Sequence, residues 1–420
     1  MAERAKARVA VNGYGVIGKR IADAVALQDD MELVGVADVV SDYRIRVAVE
    51  RDYPIYAAAD EARAGMEAAG IPVAGSLDDL LGQVDVVLDC TPKKIGAQNR
   101  PRYQAAGVKS IWQGGEKHEV AGYSFVAQVN YEGALGRDSA RVVSCNTTAL
   151  SRVLFALHRH GWVKRARAVL LRRGTDPWES HLNGMINTVI PETKVPSHQG
   201  PDARTVIPDL DITTMAGAGP YNLSHIHFAM VETTRPVSLD ELRDALWDAP
   251  RIAFVRSGDG LVALNSVVEL MRDLGRPRGD MWEVGVWEDA LAVDDREVYL
   301  TFQVHNESIV VPETIDCIRA LTGIEHDGSA SIAKTDATLG VTKAFLPRTT
   351  QPVAHVTGAD VAHPELAVVR ERRAAFMDVG FKGAEEPTDP EPTPEQMGGT
   401  GRSATTNRPA GPAGTPEGKA

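Results

Sequence analysis

Val142-Val143-Ser144-Cys145-Asn146-Thr147-Thr148 places a cysteine where an apolar strand stops and a helix begins. Leu150, Val153, Leu154 and Leu157 follow the i, i+3, i+4, i+7 stripe of a helix packed on one side, and Ser144, Asn146, Thr147 and Thr148 are cap-type residues at its start. Unpaired backbone N–H groups at such an end favour an anion, so the Cys145 thiol is expected to have a lowered pKa and a nucleophilic sulfur. A nucleophile of this kind needs a base. His225 and His227, at i and i+2 in Ser224-His225-Ile226-His227-Phe228, face one side of a strand, so both could reach the same cleft. Arg172-Arg173-Gly174 ends a further strand, and guanidinium forks match phosphate oxygens well.

At the amino end, Ala7–Asn12 reads as a strand, Gly13-Tyr14-Gly15-Val16-Ile17-Gly18 follows directly, and a helix begins at Lys19. Strand, glycines and helix in that order suit a dinucleotide: a tight turn, close backbone approach to pyrophosphate, and a helix N-terminus facing it. The next strand, Glu32 to Ala37, ends at Asp38, about twenty residues after the glycines, where a ribose-binding carboxylate belongs. A dinucleotide and an activated cysteine together suggest aldehyde oxidation through a thioester.

These elements sit in a chain of 420 residues that is 43% hydrophobic and carries a formal charge of −12. The acidity argues against nucleic acid as a partner. No apolar run approaches a membrane span, and Met1 to Lys6 holds no signal-peptide core, so a cytoplasmic protein is expected. Three dispersed cysteines make neither a disulfide framework nor a zinc knuckle; Cys90 and Cys317 read as packing residues, and no metal is expected.

Alternating strand and helix patterns through about residue 140, with a helix near Asp60 to Ala69 and strands ending at Cys90 and Trp112, predict a parallel sheet covered on both faces. Strand-like runs at Arg167–Leu171, Ile226–Val231, Trp282–Trp287 and Val298–Val304 follow. The helices between them, one with a capping box at Ser238 and Glu241 and one from Val262 to Leu274, predict an α+β domain with a mostly antiparallel sheet. The expected class is α/β: a Rossmann-type dinucleotide-binding domain at 1–142, a catalytic domain at 143–305, and a helix packing back on the first domain at 306–341. An extension at 342–384, with one helix at Pro364 to Met377, and a disordered tail at 385–420 complete the expectation.

Asn12-Gly13-Tyr14-Gly15, Asp89-Cys90-Thr91-Pro92, Gln113-Gly114-Gly115-Glu116-Lys117-His118-Glu119, the Cys145 segment, Arg172-Arg173-Gly174, Pro196-Ser197-His198, Gly200-Pro201-Asp202 and His305-Asn306-Glu307-Ser308 resemble archaeal-type (type II) glyceraldehyde-3-phosphate dehydrogenases, over about Arg8 to Val341. The resemblance implies Cys145 as nucleophile and His225 as the base activating it. It places a dinucleotide against Gly13, Gly15, Val16, Ile17, Gly18, Asp38, Thr91, Pro92, Gly114, Gly115, Arg173 and Asn306. Substrate would meet Ser144, Cys145 and Asn146, with its phosphate and the attacking inorganic phosphate near Arg173, His198, Gln199 and Gly200. It implies D-glyceraldehyde 3-phosphate and inorganic phosphate as partners, and a homotetramer. Asp38 stands where such proteins often carry a basic residue, so NAD is expected over NADP, with Lys93 and Lys94 leaving NADP open. Asn306 replaces a usual glutamine, and Tyr221-Asn222 a usual pair of threonines. Another phosphorylating semialdehyde dehydrogenase, or a non-catalytic cofactor-binding scaffold, are the alternative readings.

Overall fold

The computed structural model describes residues 6–113, 115–176 and 187–346. Gly114, the helix expected at Pro364 to Met377 and the tail at 385–420 lie outside the described residues.

The first sheet has eight strands in the spatial order Val73–Ser76, Ile55–Ala57, Met31–Asp38, Ala7–Asn12, Val86–Asp89, Lys109–Trp112, Ser139–Val142, Ser124–Phe125, and every pairing is parallel. Its central strands are buried on both faces, as helix-covered parallel strands must be: Val9 to Val11 and Val86 to Leu88 are inaccessible to solvent. From Ala7–Asn12 the chain builds in one direction through Met31–Asp38 and then returns to build in the other from Val86–Asp89. The loops after Asn12 and Asp89 therefore flank a crevice at the carboxyl edge of the sheet, where ligands of such sheets bind.

The second sheet runs Ile190–Pro191, Ile212–Gly219, Val163–Arg173, His225–Thr233, Glu297–Val304, Val284–Trp287, Ile252–Val255, with Ala292–Asp294 added beside Glu297–Val304. It is mixed. Ile212–Gly219 runs parallel to Val163–Arg173 and Ile252–Val255 parallel to Val284–Trp287, while the remaining pairings are antiparallel. Strand alternation is clean in His225–Thr233: His225, His227, Ala229, Val231 and Thr233 are buried, and Phe228 on the other face is exposed. The capping box at Ser238 and Glu241 is formed, each side chain bonding the other's backbone N–H.

The helix Cys145–His158 leaves the first sheet and packs under the second, so one element joins the two. Arg152 on that helix is fully buried and donates to Glu313 Oε1 at 2.5 and 2.9 Å, and to the carbonyls of Trp282 and Ile309. Glu313 belongs to the helix Val310–Thr322, and its other oxygen accepts the Ala127 N–H. Arg251 extends the chain of charges to Glu313, Asp316 and Asp336. The helix that carries Cys145 is thereby tied to both domains by ionic contacts shielded from water, and losing one partner would strand the rest. Among the described residues no helix is long and apolar enough to cross a membrane.

Candidate active site

Cys145 is the first residue of its helix, and Ser144 is the N-cap, accepting the Thr147 N–H at 3.3 Å. Thr147 Oγ1 meets Ser144 Oγ at 2.9 Å and donates to Asp202 Oδ2 at 2.7 Å, while Arg141 donates to Asp202 Oδ1 at 2.7 Å. Asp202 and buried Arg141 thus hold the turn that presents the cysteine. Sequence reasoning gave neither a role, because their contact spans sixty-one residues; the polar Gly200-Pro201-Asp202 turn was the available signal.

His225 reaches the sulfur, with Nε2 at 3.5 Å from Sγ. Its Nδ1 accepts the backbone N–H of Arg173 at 3.0 Å, so a neutral ring carries its proton on Nε2. Burial and the neighbouring cations hold the His225 pKa well below the ordinary histidine value. His227 lies on the same face one pair further along, but reaches Asn146 instead: Nε2 is 2.8 Å from Oδ1. Its ring packs edge-on against Phe302, and burial pulls its pKa down to about 3. Ser224, in the left-handed region at φ 61° and bonded to Gln303, turns the chain into this strand.

The lowered cysteine pKa expected from the sequence is corrected here. Burial pushes the Cys145 thiol up to about 11, against the downward pull of Arg173, the amides of Asn146 and Cys145, and Arg172. The helix end acts as anticipated, but desolvation of the half-buried thiol outweighs it. In the free protein at neutral pH the sulfur is mostly protonated.

At the dinucleotide crevice, Gly13 has φ +95° and a Cβ there would stand 2.8 Å from the Cys90 carbonyl carbon, so no other residue fits. A Cβ on Gly18 would strike the Gly13 carbonyl at 1.9 Å, which fixes the close approach of helix to strand. A Cβ on Gly15 would meet nothing within 4 Å. That open side, at the N-cap of the helix Val16–Ala26, is the cradle a pyrophosphate fits. Asp38 closes the next strand, its Oδ2 accepting the Tyr14 N–H at 2.6 Å and its Oδ1 the N–H groups of Val39 and Val40. Thr91 and Pro92 follow the strand Val86–Asp89 across the crevice, with Thr91 bonded to Asp89, and Gly115 lies against Lys93. Asn306 is buried between the strand Glu297–Val304 and the helix Val310–Thr322.

The residues expected to hold phosphate divide. Arg173 is paired with Asp176, donates to the Thr175 carbonyl at 3.0 Å and lies 3.7 Å from Glu307, which in turn accepts from Arg20 of the first helix at 2.9 Å. Arg172 pairs with Glu192 at 3.1 Å. His198 is exposed and 3.5 Å from the same Glu192. Gln199 is buried with neither amide atom partnered. Gly200 is different: its N–H is taken by Thr214 Oγ1 at 2.9 Å, and a Cβ would meet that oxygen at the same distance, so close packing accounts for this glycine.

A parallel sheet with a glycine cradle at its switch point, facing a helix-borne cysteine with an imidazole at its sulfur, defines the class as a nicotinamide-dinucleotide-dependent dehydrogenase. Residues 144–274 match the family model for the glyceraldehyde 3-phosphate dehydrogenase C-terminal domain, and residues 7–112 that for the dihydrodipicolinate reductase N-terminus. The chain is 48% identical over 337 residues to a glyceraldehyde-3-phosphate dehydrogenase of Methanosarcina mazei, covering 80% of this chain and 99% of the relative. It is 47% identical over 335 residues to that of Methanobacterium bryantii, covering 79% and 99%, and 45% identical over 334 residues to that of Methanothermus fervidus, covering 79% and 98%. The chain belongs to the glyceraldehyde-3-phosphate dehydrogenase family, in agreement with the resemblance carried by its motifs.

Proposed function

We propose that this protein oxidises D-glyceraldehyde 3-phosphate with a nicotinamide dinucleotide and inorganic phosphate to 1,3-bisphosphoglycerate, through a thioester on Cys145. The observation that carries the reading is the sulfur at a capped helix start, 3.5 Å from His225 Nε2. The Cys145 thiolate adds to the aldehyde carbon, with Ser144 and Asn146 lining the substrate. The dinucleotide, when bound against Gly13, Gly15, Val16, Ile17, Gly18, Thr91, Pro92 and Gly115, supplies the hydride acceptor. Arg173, His198 and Gln199 receive the two phosphates: the unpartnered Gln199 amide has bonds to give, and Arg173 exchanges acidic partners for phosphate oxygens.

NAD is the preferred cofactor. The Asp38 carboxylate, already fixed by three backbone N–H groups, retains lone pairs for the ribose hydroxyls and repels a 2′-phosphate. Lys93 and Lys94 in the opposite loop leave NADP as the slower alternative. The protein works in the cytoplasm in glycolysis and in the reverse, gluconeogenic direction, as a homotetramer. Self-association is supported by the outer face of the second sheet, where Met215, Val169 and Phe228 are exposed and lie side by side in register across three strands. Purified protein given glyceraldehyde 3-phosphate, phosphate and NAD should produce NADH. Absence of turnover with either dinucleotide, or turnover only with another semialdehyde, would defeat the proposal.

A further inference from the structure

We infer that residues 339–345 form a strap that docks on the outer edge of the second sheet and clamps the buried segment 280–283, from which the glycine-cradle helix and the cysteine helix are both held. Thr342 stands just past Val341, where the likeness of the motifs to the family ends, so the docked part opens this chain's own extension.

The strap starts where the helix Gly328–Leu339 stops. Gly340 caps that helix at φ 69°, a left-handed turn that glycine takes without strain. Ile252–Val255 is the last strand of the second sheet; its Phe254 N–H donates to the Lys343 carbonyl at 3.2 Å, and Phe254 pairs with Ala344 in a parallel bridge. A sheet edge takes an added segment in this way, through backbone bonds, while pockets select its side chains. Phe345 fills the pocket here. It is 8% exposed, shares one apolar cluster with Val255, Leu261, Met271, Met281 and Trp287, and has the Arg276 guanidinium 5.4 Å over its ring. Lys343 Nζ donates to the Ala249 carbonyl. The space left between Phe345, Leu346 and the groove walls at Trp247 and Arg256 is only about 10 Å³, too small for a ligand, so the segment fills its groove.

Residues 280–283 belong to neither helix nor strand, so bonds to other elements fix them, and each residue makes a different one. Asp280 accepts from Arg20 at 2.7 Å, and Arg20 also donates to the Val16 carbonyl at 2.8 Å, in the first turn of the cradle helix. The Met281 carbonyl accepts Ser308 Oγ at 2.7 Å, and the Trp282 carbonyl accepts Arg152 of the cysteine helix at 2.7 Å. Glu283 is fully buried and takes both prongs of Arg276 at 2.7 Å. The strap grips three of these four residues. The Thr342 N–H donates to Glu283 at 2.8 Å, the Leu339 carbonyl accepts Trp282 Nε1 at 3.1 Å, and Phe345 packs in the cluster that holds Met281. Arg276 closes the clamp with a 2.8 Å bond to the Gly340 carbonyl. Thr342 and Phe345 are thus positioning residues that act through Asp280 on Arg20 and through Trp282 on Arg152.

The test is hydrogen exchange of the full-length protein, read by mass spectrometry. In the wild type, residues 252–256 and 342–346 should exchange at least about 10²-fold more slowly than unstructured chain. Exchange of 342–346 at the unstructured rate would overturn the inference without any variant. Phe345→Ala empties the pocket and should raise exchange at 252–256 and 280–284 by about tenfold or more, with Val86–Asp89 of the first sheet unchanged. Phe345→Leu, which keeps an apolar plug, should stay close to the wild type. No rise in either segment, or an equal rise at Val86–Asp89 such as a general loss of stability gives, would contradict the strap. The Phe345→Ala protein should also bind NAD about threefold or more weakly in a fluorescence titration, through the link from Asp280 to Arg20; unchanged affinity would overturn the clamp. None of these measurements requires turnover, so their failure is distinct from failure of the catalytic reading, which shows as absence of wild-type activity.

Discussion

The two sheets that meet at Cys145 contribute in different ways. The parallel sheet offers chiefly turns written in short stretches of chain: the Gly13 to Gly18 turn and the Ser144 cap of the cysteine helix. The mixed sheet offers side chains brought together from far apart, with Arg173 bonded to His225 across fifty-two residues and Cys145 to His225 across eighty. Binding surfaces made of local turns are written in short motifs, whereas an electrostatic environment made of long-range contacts is not.

The sharpest break of that comparison is Cys145→Ser. Turnover is expected to fall by at least about 10³-fold while dinucleotide binding, measured by fluorescence titration, is retained, since the cradle is independent of the sulfur. Loss of both together would show that the two sheets do not divide the labour. Next in size is Glu313→Gln, which leaves Arg152 and Arg251 short of their shared carboxylate in the buried network. A loss of about 3–5 kcal/mol in denaturant unfolding is expected. A cost below about 1 kcal/mol would mean that the network does not hold the cysteine helix.

Asp38→Lys tests the parallel-sheet edge. The ratio of kcat/KM for NAD to that for NADP should fall by about tenfold or more, as a carboxylate that repels the 2′-phosphate is replaced by a cation that attracts it. An unchanged ratio would remove the ribose argument. The smallest effect is Ser144→Ala, which deletes one cap bond: about 1 kcal/mol of stability, read in the same unfolding experiment.

Much of the architecture was legible because its signals are periodic or local. The alternating pattern before residue 142, the Cys145 helix start and the Ser238 capping box all occur where the sequence places them. The parallel strand Ile212–Gly219 was not anticipated, since Thr213, Thr214, Gly217 and Gly219 give it little apolar alternation; its pairing and that of Ile252–Val255 make the sheet mixed. Nor was the helix Gly328–Leu339, whose polar Ser331 and Thr335 are buried to serve Asp316 in the ionic network. At the site, the cysteine and the histidine pair that the sequence singles out do come together, His225 at the sulfur and His227 at Asn146, but the thiol's environment differs from the expected one. Cap residues announce the helix dipole in the sequence, whereas the burial that outweighs it comes from distant segments. Arg141, Asp202 and the Arg173 amide escaped for the same reason: their importance lies in what folding sets beside them.

The central claim is that the acyl group is carried by Cys145. Its most direct test is intact-protein and peptide mass spectrometry after mixing the protein with glyceraldehyde 3-phosphate and NAD in the absence of phosphate. The account predicts a 3-phosphoglyceroyl adduct on the peptide containing Cys145 that disappears when phosphate is added. An adduct on Cys90 or Cys317, or NADH formed with no adduct on any cysteine, would contradict it.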